Sequence, residues 1–133
     1  MQALQDAKNK VLQFYQALED APESASALSQ HLSADCLWRG MHPFDTRTGP
    51  EEVAQVFWDP LRTALTRMQR RMDVFMAGHN EMDGFGSVWV VSMGHLMGLL
   101  DQPWLGIPPT GRMAMLRYAE FLKVEGGKIT EIA

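Results

Sequence analysis

The sequence predicts an α+β fold in which N-terminal helices pack on the concave face of a curved antiparallel sheet. Three observations carry this. Apolar residues recur at helical spacing through the first third of the chain, at Leu4, Ala7, Val11, Leu12, Tyr15 and Leu18. From about Arg70 onward the texture changes to long apolar segments with strand character. Those segments are punctuated by Gly-, Asp- and Asn-rich turns of the kind that joins antiparallel neighbours, and helices followed by a run of strands is the α+β order.

Residues 3–20 read as one amphipathic helix, and Pro22-Glu23 opens a shorter one through Ala25, Leu28 and Leu32. Asp35 to Met41 reads as a first strand, closed by the loop HPFDTRTG. Thr48-Gly49-Pro50-Glu51-Glu52 is a helix start, with Pro at the first helical position and two acids facing the positive end of the helix dipole. Val53, Val56 and Phe57 give this helix an apolar stripe, which Leu61, Leu65 and Met68 continue beyond a kink at Pro60. MDVFMAGHN and FGSVWVVSMGHLMG, joined through Glu81 to Gly84, form a hairpin. Arg112 to Val124 is a further long strand, and Glu125-Gly126-Gly127-Lys128 turns the chain into a last one, Lys128 to Ile132. Gly94 and Gly98 lie inside a strand, where they signal a bulge or a close backbone approach.

With 133 residues the chain has the length of one domain, or of one domain cut from a longer parent. Its net charge of −4 disfavours binding to a phosphate backbone, and the cluster Arg62, Arg67, Arg70 and Arg71, flanked by Asp59 and Asp73, reads as a solvated helix end rather than a nucleic-acid patch. Cys36 is alone, which excludes a disulfide framework and fits a reducing, cytoplasmic setting. MQALQDAKNK lacks the apolar core of a secretory signal, and the longest uncharged run, Gly84 to Leu100, is too short and too glycine-rich to span a membrane. Ten methionines suit a roomy, adaptable apolar interior. His42, His79, His95, Asp45 and Asp83 show no ligand spacing, so no metal site is expected.

The segment from Gly94 to Arg112 carries the most specific signal. It reads Gly94-His95-x-x-Gly98, then Leu-Gly-Ile-Pro-Pro-Thr-Gly-Arg over residues 105–112, then an acid, Glu120, nine residues past Gly111. Together with Gly127-Lys128-Ile129-x-Glu131, Trp38, His42-Pro43, Trp58-x-Pro60-Leu61 and Ala77-Gly78, this pattern resembles the SnoaL-like polyketide cyclases of the nuclear transport factor 2 superfamily. The resemblance implies a cone-shaped α+β fold with a ligand cavity at its mouth, no cofactor, and a general acid/base at Glu120, where the family usually carries the shorter Asp. The family pattern also continues past the last strand, so a partner subunit or a longer parent is expected to finish the sheet edge after Ala133.

The residues themselves support a pocket. Strand parity puts Ala114, Leu116, Tyr118, Glu120 and Leu122 on one face of their strand. A carboxylate on so apolar a face is costly unless paired, and burial there favours a proton shuttle. The same count puts Trp89, Val91, Met93, His95 and Met97 on one face of the preceding strand. The catalytic candidates are therefore Glu120 as base and His95 as its partner or as proton donor. The opposing reading pairs Glu120 with Arg112, Arg117 or a group at the sheet edge in a purely structural role. Substrate-binding candidates are Trp38, His42, Trp89, Trp104, Tyr118 and Tyr15, with Trp104, in a loop beside Pro103, as a lid.

These residues suit a small hydrophobic carbonyl compound acted on by cofactor-free acid/base chemistry, as in a cyclase closing a ring by an intramolecular aldol, or an isomerase. An epoxide hydrolase ranks lower, because no cluster of Asp, Arg and Asn to hold water is legible. The alternative class is a non-catalytic ligand-binding or dimerisation module. A homodimer is expected, since Met113, Met115 and Phe121 leave the outer sheet face apolar.

Overall fold

The structure, a computed structural model, describes residues 1–133. Helix α1 (Gln2–Asp20) buries Ala7, Val11, Phe14, Tyr15 and Leu18, the stripe set by its helical period. Helix α2 (Ser24–His31) runs directly into strand β1 (Leu32–Arg39), three residues earlier than the sequence suggests. The Leu32 N–H closes the helix on Leu28 O, and no loop intervenes. A short strand not foreseen, β2 (Thr46–Thr48), pairs antiparallel with β1.

The next helical segment is continuous through α3 (Pro50–Val53), a π-helical turn (Ala54–Trp58) and α4 (Asp59–Ala64). Pro60 lacks the N–H that an α ladder needs. The wider π turn, in which the Asp59 N–H reaches Ala54 O, carries the chain past it. The helix ends sooner than its apolar stripe implies. Leu65 and Met68 belong to strand β3 (Leu65–His79), because the Ala64 carbonyl accepts from the backbones of Asp101 and Gln102 and Leu65 pairs with Leu100.

Strands β4 (Val88–Leu100), β5 (Met113–Glu125) and β6 (Lys128–Ile132) complete a six-stranded curved sheet of order β2-β1-β6-β5-β4-β3, which does not close into a barrel. All neighbours are antiparallel except β1 and β6, so the sheet is mixed rather than purely antiparallel. The last strand is not an edge: β6 lies between β5 and β1, and Ala133 exchanges two backbone hydrogen bonds with Phe121. The helices fill the concave face around a core that includes Phe14, Leu28, Leu61, Leu122 and Ile129. No helix is long and apolar enough to cross a membrane.

Sheet curvature has a local cause. Strand β3 slips register twice, between Thr66 and Gln69 and between Met72 and Val74, and these breaks lie opposite Gly98 and Gly94 of β4. Bulges bend the strand that carries them. At Gly94 the bulged backbone comes so close that an added Cβ would sit 1.9 Å from Arg71 O. Gly94→Ala is therefore expected to destabilise the fold by about 3 kcal/mol through overpacking, read as a lower urea midpoint at unchanged slope. A midpoint equal to wild type would mean that the approach relaxes freely.

Candidate functional site

Glu120 is the centre of the site. It projects from β5 into the concave side, in register with Ser92 of β4. Its Oε1 accepts two hydrogen bonds, from Arg70 Nη1 at 2.7 Å and from the Tyr15 hydroxyl at 2.8 Å. Its Oε2 has no hydrogen-bond partner in the protein. Arg70 comes from β3, two strands away, and Tyr15 from α1, so three elements converge on one carboxylate.

Arg70 is held as tightly as the acid it serves. Its side chain is 8% exposed, and the guanidinium lies 3.6 Å from the Tyr15 ring centroid and 4.5 Å from that of Tyr118. Such stacking stabilises a cation taken out of water. Burial alone lowers the Arg70 pKa, but the charge of Glu120 and the neighbouring tyrosines reverse this and hold it above its ordinary value. Tyr15 is raised too, first by burial and then by the Glu120 charge, so it stays a phenol and a donor. A second polar pair lies beside this one, with the Tyr118 hydroxyl 2.9 Å from Ser92 Oγ.

A cavity of about 370 Å³ opens against these groups, lined by Trp38, Phe44, Phe57, Trp58, Tyr118 and Glu120 among others. The aromatic rings pack on one another: Phe57 is 5.4 Å from Trp38, 5.1 Å from Phe44 and 4.9 Å from Trp58, centroid to centroid. Ligand sites commonly have this make-up, an apolar wall with a few convergent polar groups.

The structure gathers some of the expected residues and separates others. Glu120, Tyr118 and Trp38 line the cavity, and Tyr15 binds Glu120 from behind. His95 does not join them. It pairs in register with Arg117 and points to the convex face, where its Nδ1 lies 3.6 Å from Asp73. The sheet itself separates it from Glu120, so the pairing of these two as acid and base is corrected. Trp89 shares that outer face, with its indole N–H donating to Ser87 Oγ. His42 is exposed, and its neighbours Gly40, Met41 and Phe44 line the cavity instead.

Trp104 precedes a tight turn through Leu105 and Gly106 and stacks on Phe44 at 6.1 Å, which places it behind the cavity wall rather than on it. The cation expected in the structural alternative for Glu120 is also corrected: it is neither Arg112 nor Arg117 but Arg70. Arg70 and Ser92 are the residues the sequence analysis missed. The signal for Ser92 was present, because the small residues Ser92, Gly94 and Gly98 mark the crowded inner face of β4. No group of three His, Cys, Asp or Glu side chains is arranged to hold a metal.

A curved, open sheet wrapped around helices, with Glu120 on its concave face, is the α+β architecture of the NTF2-like fold. The chain belongs to the SnoaL-like domain family, whose model matches residues 11–132. No curated protein matches it in sequence. Solved structures agree on the fold. A proposed SnoaL-like polyketide cyclase from Jannaschia sp. CCS1 is 19% identical with a TM-score of 0.75, over 97% of this chain and 83% of that one. AclR, a proposed hydroxylase from Streptomyces galilaeus, is 17% identical at a TM-score of 0.76, over 97% and 77% of the two chains. IdmH, a proposed polyketide cyclase from Streptomyces antibioticus, is 17% identical at 0.71, over 93% and 86%.

Proposed function

We propose that the protein binds an apolar carbonyl compound in the aromatic cavity and acts on it by cofactor-free acid/base catalysis, as a cyclase or an isomerase. The observation that carries this reading is the asymmetry of Glu120. One oxygen is clamped by Arg70 and Tyr15, while the other is unpartnered on a carboxylate that lines the cavity. Arg70 and Tyr15 fix the clamped oxygen in place, which leaves the other oxygen aimed at the cavity to act as the base.

Glu120 takes a proton from carbon next to a carbonyl, and the electron pair moves onto the carbonyl oxygen. The Tyr118 hydroxyl, steadied by Ser92, donates a hydrogen bond to that oxygen. In a cyclase the enolate carbon then attacks a second carbonyl of the same molecule, and the new alkoxide takes back the proton held on Glu120. In an isomerase the proton returns to a different carbon. The aromatic walls hold the substrate folded, which is where most of the acceleration arises. The names of the Jannaschia protein and IdmH support the cyclase form, and AclR is a reminder that one fold carries several chemistries. The test is exchange of the α-protons of a cyclic 1,3-diketone in D₂O, which the protein is expected to accelerate. Exchange at the buffer rate by a protein that still binds the diketone would leave a ligand-binding module. That second reading is favoured by one observation, the burial of the Arg70–Glu120 pair, which also suits a structural role.

The same reading gives the convex face a second copy of this chain as partner. Met76, Met113, Met115 and Phe121 are 55%, 60%, 57% and 44% exposed there. Asp73 amid Arg71 and Arg117 offers both charge signs to a twofold-related neighbour. Sedimentation at micromolar concentration is expected to give a dimer that Met115→Glu with Phe121→Glu converts to a monomer. A wild-type monomer would refute it.

A further inference from the structure

We propose that a second cavity, on the other side of Trp58 and Leu96 from the aromatic one, binds a small carboxylate with an apolar body. This goes beyond the acid/base reading and does not depend on it. The four arginines that look like one solvated helix end in the sequence are split by the fold. Arg71 turns to the convex face and approaches Asp73. Arg62, Arg67 and Arg70 instead converge on a cavity of about 270 Å³.

Charge accounting favours an anion there. The Arg70 charge is met by Glu120. Arg62 is fixed by two neutral acceptors, donating to Ser24 Oγ at 2.9 Å and Ala21 O at 2.5 Å. Neither Arg62 nor Arg67 has a carboxylate within 4.0 Å, although Glu19 also lines the cavity, against three arginines. Arg62, half-buried, and Arg67, exposed, thus line one cavity without an ion-pair partner, in a chain whose net charge is −4.

Backbone conformation adds an independent observation. Arg67 has φ of 55°, in the left-handed region, within the break of register between Thr66 and Gln69. A non-glycine side chain crowds the following carbonyl there, and Asn or Gly would sit more comfortably. Residues held in such conformations cluster at ligand sites. The rest of the lining sets the ligand class: Leu18, Leu65, Met68 and Trp58 ask for carbon, and the planar guanidinium fork matches a carboxylate.

The test is titration of the full chain with benzoate, followed by calorimetry and by the fluorescence of Trp58 in the wall. Benzoate is expected to saturate, and benzyl alcohol, of similar shape but neutral, is not. Arg67→Asn is expected to weaken benzoate at least ten-fold while keeping the backbone, since Asn tolerates the left-handed region. Arg67→Gly serves if the Asn variant does not fold. Cyclohexanone, directed at the aromatic cavity, is expected not to displace benzoate. Four results would each overturn the proposal: no benzoate binding, equal affinity in the folded Arg67 variants, displacement by cyclohexanone, or inorganic phosphate binding as tightly as benzoate. Absence of diketone exchange would bear on Glu120 alone and leave this site untouched.

Discussion

Glu120→Gln is expected to slow α-proton exchange of a bound diketone by about 10²–10⁴-fold, the usual contribution of a positioned general base. Glutamine keeps the length of the side chain, and its carbonyl can still accept from Arg70 and Tyr15. Binding in the aromatic cavity is therefore expected to persist while turnover falls, so the loss appears in kcat rather than KM. Glu120→Asp is the informative companion. It keeps a carboxylate but withdraws it by about one bond, and exchange is expected to recover in part. Wild-type exchange in a folded Gln variant would remove Glu120 from the chemistry and leave it as the partner of a buried cation.

Arg70→Met is expected to have the largest effect on stability, about 3–5 kcal/mol, because it strands the Glu120 carboxylate without its counter-ion. The cost should exceed what a surface ion pair could give, since Arg70 is 8% and Glu120 16% exposed. The double variant Arg70→Met with Glu120→Gln removes both charges and is expected to be more stable than Arg70→Met alone. Urea midpoints of the four proteins measure the coupling directly. Additive losses would mean that the two side chains do not act as a pair. Arg70→Lys is expected to fall between, because an ammonium keeps the charge but loses the planar contact with the Tyr15 and Tyr118 rings.

Much of the fold is written in local pattern. The Gly49-Pro50 helix start, the hairpin through Glu81–Asp83 and the Gly126-Gly127 turn follow from capping and turn chemistry and appear where those rules put them, and the α1 stripe does so except that Leu12 is 40% exposed and Phe14 is buried instead. The face of β5 that holds Tyr118 and Glu120 was legible as well, because an acid and a phenol stand out in an alternating strand.

The face of β4 was not, for a definite reason. In VWVVSMGHLMGLL both alternating sets are largely apolar, so alternation alone assigns neither to the interior. The chemically conspicuous set, Trp89 and His95, drew the assignment, yet it is the small set that fits under the helices. The twelve residues between β4 and β5 also leave their register free, and only that register puts Ser92 rather than His95 beside Glu120.

Sequence by itself determined the class of fold and the face of β5 that carries Tyr118 and Glu120, since both rest on spacing and residue type. Tertiary structure decided the partners. Arg70 reaches Glu120 across an intervening strand, Tyr15 meets it from 105 residues away in the chain, and strand alternation turns Arg70 to the concave face and Arg71 to the convex one. Contacts of that separation depend on the curvature of the whole sheet, which no local pattern encodes.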